Sequence, residues 1–132
     1  MTVLVGYLPN PLGEATLRAG VEEARRRSEP LLVLNMSRDD VLVDARRAGV
    51  DDLARVERDV SELGVDVEVV QVEEGSDPAD VIVGEASARG ASVVVIGLRH
   101  RTAVGKLIMG SVAQRILLDA RCPVLAVKEE VA

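Results

Sequence analysis

The sequence predicts an α/β protein built on one open parallel sheet with helices on both faces. Three observations predict it. Short aliphatic runs alternate with amphipathic stretches along the whole chain, in the order β-α-β-α-β-α-β-α-β. One run, Val93-Val94-Val95-Ile96, is apolar at every position, as a strand buried on both faces must be. The core-forming residues are aliphatic: 24 of the 132 residues are valine, while the aromatics amount to a single Tyr. At 132 residues the chain is expected to be one domain spanning 1–132, with no linker, repeat or low-complexity segment.

The elements follow in order. Val3-Leu4-Val5 is a buried strand, closed by Gly6 and the turn residues Pro9-Asn10-Pro11. Glu14 to Arg27 has helical periodicity, with Leu17, Val21 and Ala24 on one face and Ser28-Glu29-Pro30 as the stop. Leu31 to Leu34 is the second strand. Ser37 to Gly49 is charged and shows no pattern. Asp51 to Leu63 reads as a helix with Leu53, Val56, Val60 and Leu63 on one stripe and Gly64 after it. Val65 to Val72 alternates in part, as an exposed or edge strand would. Asp77 and Pro78 suit the cap and first position of a helix running to Arg89, and Gly90 closes it. Ser92 to Ile96 is the fourth strand. Gly97 to Met109 is a basic, glycine-punctuated connection. A last helix starts at Gly110 or Ser111 and runs to about Ala120, with a stripe of Val112, Ile116 and Leu117. Pro123 precedes the fifth strand, Val124 to Val127.

Several function classes are excluded. A single Cys allows no internal disulfide, and one His with one Cys is too few soft ligands for a structural zinc. The net charge of -6 and the near absence of aromatics speak against nucleic-acid binding. No apolar run reaches the roughly 18 residues of a membrane helix. The N-terminus lacks the layout of a signal peptide, so a cytoplasmic protein is expected. Lys106 is followed by Leu107, which breaks the P-loop pattern, and no Gly-x-Gly-x-x-Gly follows the first strand. No general base stands with a carboxylate to orient it and no acid lies in the loop after strand four to hold a metal, so no catalytic residue and no metal ligand is assigned. Enzyme activity would amount at most to a slow ATPase.

In an open α/β sheet the ligand crevice lies beyond the carboxyl ends of the strands, where the strand order reverses. The loops after strands one and four belong there. Between Ala86 and Leu118 lie five of the 16 basic residues (Arg89, Arg99, Arg101, Lys106 and Arg115) and no acid, so the other 11 face all 22 acids. That island points to an anion site. Gly110-Ser111, opening a helix, would aim backbone amides and a hydroxyl at the anion. Ser111 read as a plain N-cap is the competing account. His100 is either a phosphate contact or a solvated loop residue. Cys122 reads as a small core residue, and Arg25-Arg26-Arg27 as a solvated helix end whose charge suits the dipole.

The chain resembles the single-domain universal stress proteins over essentially its whole length. The resemblance is carried by the strand alternation and by three stretches: Val93-Val94-Val95-Ile96-Gly97, Gly110-Ser111-Val112-Ala113-Gln114-Arg115-Ile116-Leu117, and Cys122-Pro123-Val124-Leu125-Ala126-Val127. The family's nucleotide motif is Gly-x2-Gly-x9-Gly-Ser/Thr. Its spacing holds from Gly97 to Gly110-Ser111, but His100 stands at the second glycine. Members that bind ATP usually carry an Asp just after strand one, where this chain has Leu8.

The resemblance implies a Rossmann-like, adenine nucleotide alpha hydrolase-like fold with five parallel strands in the order 3-2-1-4-5. It implies ATP, with Mg, as ligand, bound through Ile96, Gly97, Gly110, Ser111 and Val112, with His100 standing at the motif's second glycine; the basic island, and not the resemblance, adds Arg99, Arg101 and Lys106 as further phosphate contacts. It also implies a homodimer through the last strand, Val124, Leu125, Ala126 and Val127, a short apolar edge that needs covering. Two functional readings stand at this point. One is a stress-response protein with an adenine nucleotide as regulatory ligand. The other is a dimeric signalling or adapter module of the same family that binds no ATP, a reading favoured by His100 and Leu8.

Overall fold

In a computed structural model, alternate residues of each central strand feed two separate cores. The structure describes residues 1–36, 43–73, 75–98, 101–103, 106–108 and 110–128; for 43–52, 101–103 and 106–108 it describes the backbone alone. The elements are β1 (Thr2–Tyr7), α1 (Pro11–Arg27), β2 (Leu31–Asn35), α2 (Val43–Glu62), β3 (Val67–Gln71), α3 (Pro78–Arg89), β4 (Ala91–Leu98), β5 (Arg101–Ala103), β6 (Lys106–Ile108), α4 (Ser111–Asp119) and β7 (Val124–Lys128). The main sheet has the order β3-β2-β1-β4-β7. All four of its pairings are parallel. This is the 3-2-1-4-5 arrangement, with β7 as the fifth strand of the sheet.

Strand parity explains the layering. Val3, Val5 and Tyr7 of β1 join Leu31, Val33, Val93 and Val95 in a core covered by Leu17, Val21 and Ala24 of α1 and Val56 and Val60 of α2. Leu4, Leu32, Leu34, Val94 and Ile96 point the other way, onto Ala79, Ile82 and Ala86 of α3 and Ile116 of α4. Helices α1 and α2 thus cover one face, α3 and α4 the other. The edge strand β3 exposes Glu68 and Gln71, in keeping with its partial alternation.

Most boundaries agree with the sequence pattern, and the differences have local causes. Helix α1 begins three residues before Glu14, because Asn10 accepts a hydrogen bond from the Gly13 amide and Pro11 takes the first turn. Helix α2 begins at Val43, inside the stretch that shows no pattern; Gly49 interrupts its propensity but not its backbone. Residues 37–42 of that stretch lie outside the described residues. The connection after β4 contains an antiparallel hairpin, β5-β6, pairing Arg101 with Ile108 and Ala103 with Lys106. Strands of three residues are too short to show a period. Two stripe assignments are corrected. Leu63, one residue past the end of α2, is 53% exposed, and Leu117, next to the buried Ile116 on α4, is 38% exposed. Asp77 caps α3 through the Ala79 amide at 2.9 Å, and Gly90 ends it at φ 63, a left-handed conformation that suits glycine.

Candidate functional site

The carboxyl ends of β1 and β4 diverge toward connections on opposite sides of the sheet, and a cavity of about 490 Å³ opens between them. Gly6 and Leu8 come from the end of β1, and Ile96 and Gly97 from the end of β4. Asn10, Leu12, Gly13 and Thr16 of the α1 entry form one wall. Pro78 and Ile82 of α3 and Gly110 to Ala113 of α4, with Ile116, form the other. Met36, just past β2, closes one side.

The N-terminal amides around this cavity are treated differently. Those of α1 are capped by Asn10 and those of α3 by Asp77. Helix α4 has Gly110 at its cap position and no side-chain cap. Ser111 is therefore the first helical residue and not an N-cap, which settles that competing account against the cap. The first bond of the helix runs from the Gln114 amide to the Gly110 carbonyl, and among the described residues the amides of Ser111, Val112 and Ala113, which line the cavity, have no backbone partner. A Cβ built on Gly110 meets nothing within 4 Å.

Gly97 has a different part. A Cβ there would lie 2.8 Å from both Leu12 Cγ and Thr16 Oγ1. The bare backbone lets α1 approach β4 closely and so sets the cavity floor. Gly20, one turn beyond Thr16 on α1, permits a close approach to β1, where a Cβ would clash with Val5 Cγ2.

The basic island is smaller in space than in sequence. Arg115 is bonded to Asp77 at 2.8 Å and also to Asp80, so its charge is spent tying α4 to α3. Those two acids raise the guanidinium pKa, Asp80 most. Desolvation pushes the Asp77 carboxyl up, but the Asp80 and Ala79 amides and Arg115 outweigh it and hold it below its ordinary value. Arg89 sits at the far end of α3, away from the cavity, paired with Glu68 at 2.6 Å and Glu85 at 3.2 Å. Two of the five cations are thereby removed from the anion-site argument.

Of the sequence-derived site residues, Ile96, Gly97, Gly110, Ser111 and Val112 converge on the cavity. Arg99 and His100 lie outside the described residues; Arg101 and Lys106 are placed by backbone only, on β5 and β6. Val124 to Val127 form the edge strand β7, with Leu125 37% exposed. Val124 and Val127 pack partly against the two cores. Burial raises the Cys122 thiol above its ordinary value, and the residue packs against the α3/α4 core as expected. Sequence reasoning missed Asn10, Leu12, Thr16, Met36, Pro78 and Ile82. Only Asn10 and Pro78 carried a local signal, as helix-start residues.

The fold and cavity define a class: a small open α/β protein with an uncapped helix N-terminus at the switch point of its sheet. A profile of the universal stress protein family matches residues 1–128, and the chain belongs to that family. It is 44% identical over 126 residues to a universal stress protein of Mycolicibacterium smegmatis, covering 96% of each chain. It is similar to a solved universal stress protein from Archaeoglobus fulgidus, with 30% identity, a TM-score of 0.77, and coverage of 97% of this chain and 98% of that one. A universal stress protein from the same organism solved in complex with dAMP is 25% identical, with a TM-score of 0.71 and the same coverage. Among the described residues, no helix is long and apolar enough to cross a membrane, and no three His, Cys, Asp or Glu side chains cluster as a metal site would require.

Proposed function

We propose that this chain is a cytoplasmic stress-response protein that binds an adenine nucleotide, ATP in the cell, as a regulatory ligand in the cavity between β1 and β4. The observation that carries the reading is the open N-terminus of α4 at a cavity of about 490 Å³. Unpaired amides at the positive end of a helix favour a phosphate, and the volume lies in the range of small-ligand sites. The relative solved with dAMP supports the same reading. Ser111 adds a hydroxyl at the phosphate end, Val112 its amide, and Ile96 an apolar wall. Arg99, His100, Arg101 and Lys106 belong to the connection that leads to this helix and are the proposed supplementary phosphate contacts. No acid is among the described lining residues.

The proposed assembly is a homodimer through β7. This strand is an edge of the sheet, and Leu125 on it and Leu118 on the preceding helix are 37% and 75% exposed. A second reading is a dimeric adapter that binds no ATP. Leu8 on the cavity wall, where members that bind ATP usually carry an Asp, favours it.

The test is to denature freshly purified protein, identify released nucleotide by chromatography, and titrate ATP into the apo form by calorimetry. Near-stoichiometric nucleotide or tight binding supports the nucleotide reading. No nucleotide and no heat at millimolar ATP leaves the adapter. Gly110→Asp puts a carboxylate on the open amides and is expected to weaken ATP binding by well over tenfold (a cap and a repulsion at once). Unchanged affinity in the folded variant removes this site from consideration.

A further inference from the structure

Helix α4 carries the amides of the proposed phosphate site, and little of the core holds it. It has nine residues, where isolated helices below about 12–15 are marginal in water. Ile116 is buried, Val112 and Ala113 are partly buried, and the other six are exposed. What ties the helix to its neighbour is polar. Arg115 stands four residues after Ser111, on the same face and one turn further in. Its Nη1 donates to Asp77 Oδ2 at 2.8 Å and its Nη2 donates to Asp80 Oδ1. Asp77 is the cap of α3, and Asp80 lies in the first turn of that helix. The other Asp77 oxygen, Oδ1, accepts from the Ala79 amide at 2.9 Å. One carboxylate thus caps α3 and holds α4 at once. Pro78, the residue after that cap, lines the cavity together with Gly110 and Ser111. The guanidinium fork therefore joins the two helix starts that flank the cavity.

We infer that Arg115 is a positioning residue for the phosphate end of the site: through Asp77 and Asp80 it holds the start of α4 at its place on the cavity wall. Both of its terminal nitrogens are turned to α3, so it acts through the helix pair and not on the ligand. The inference deepens the nucleotide reading and rests on it only for an anion at the start of α4. Arg115, Asp77 and Asp80 are all exposed side chains, and exposed pairs contribute little to the stability of a whole domain. A short helix held at few points is a different matter. Losing the fork frees the α4 start to shift or fray while the two cores stay packed. The loss falls on the site and not on the fold.

The experiment is calorimetric titration of the full chain, and of the double variant Asp77→Asn with Asp80→Asn, using ATP, inorganic tripolyphosphate and adenosine. Asparagine keeps the cap of α3. The exchange also removes two negative charges beside the site, so charge alone predicts tighter phosphate binding. Positioning predicts the opposite sign. ATP and tripolyphosphate should bind at least fivefold more weakly, adenosine within twofold of the parent, with a urea midpoint close to the parent's. Phosphate affinity that is unchanged or tighter overturns the inference and leaves the nucleotide reading standing. Adenosine affinity that falls in step with ATP also overturns it, because the whole cavity has then been disturbed. A second variant, Arg115→Ala, leaves both carboxylates in place and should lose at least as much phosphate affinity; parental affinity in that folded variant overturns the inference as well. A parent that binds tripolyphosphate but not ATP sinks the nucleotide reading alone, and the same variants then decide the inference on tripolyphosphate. A parent that binds neither overturns both.

Discussion

Gly97→Ala separates a glycine that serves packing from one that serves a ligand. The new methyl would lie 2.8 Å from Leu12 Cγ, 2.8 Å from Thr16 Oγ1 and 3.1 Å from Leu12 Cδ2. None of these atoms can swing away cheaply. Leu12 is 8% exposed and Thr16 is 1% exposed, and the Thr16 hydroxyl is held on the Leu12 carbonyl. Relief requires α1 to lift from β4 by roughly half an ångström or more, against a core at crystal-like density. Overpacking of that kind costs about 1–3 kcal/mol. For a domain of this size about 2 kcal/mol corresponds to roughly 6–10 °C in melting temperature. The assay is urea and thermal unfolding of the ligand-free protein, so no loss of binding can be mistaken for loss of packing. The double variant with Leu12→Ala removes two of the three contacts and should recover part of the loss, giving a favourable coupling energy. A ligand-free Gly97→Ala protein that unfolds at the parent's midpoint would refute the close-approach argument and return Gly97 to a purely ligand-facing role.

Gly84, within α3, is the converse: a Cβ there meets nothing within 4 Å, so Gly84→Ala should stabilise by about 0.5–1 kcal/mol in the same urea assay. Asp77→Asn keeps the cap of α3 but removes the charge paired with Arg115. Because the folded Asp77 pKa is lowered, its charge contributes stability above the unfolded value and loses it as pH falls through the folded one. The difference between parent and variant midpoints should therefore be full at neutral pH and shrink below the ordinary aspartate range; a difference that persists undiminished in strong acid counts against the pairing. Leu125→Asp together with Leu118→Asp charges the exposed leucine of β7 and the most exposed leucine of α4, and sedimentation should show a monomer where the parent sediments as a dimer. A parent that is itself monomeric at high concentration removes the proposed assembly.

The alternation of strands and helices was legible because it is written in local periodicity. Val93 to Ile96, the Leu17-Val21-Ala24 face and the Asp77-Pro78 start each need only a few neighbouring residues to be read. Where the window was too short or the propensity mixed, the reading stopped. The β5-β6 hairpin has three residues a side, and Gly49 masked the first turns of α2. Five of the sixteen described lining residues were legible for the same reason, with Gly97 and Gly110-Ser111 marked by spacing along one stretch of chain.

The described cavity wall as a whole is assembled from five separate segments, and no local pattern marks Thr16, Met36 or Ile82 as neighbours of Gly110. Charge shows the division most plainly. The sequence by itself determined that five cations lie together without an acid among them. Only the tertiary structure decided that Arg89 and Arg115 spend their charge on Glu68, Glu85, Asp77 and Asp80. Secondary structure follows from backbone propensity and the period of apolar residues, which neighbours in sequence settle among themselves. Ion pairs and the close approach of a helix to a strand depend on which distant segments the fold packs together.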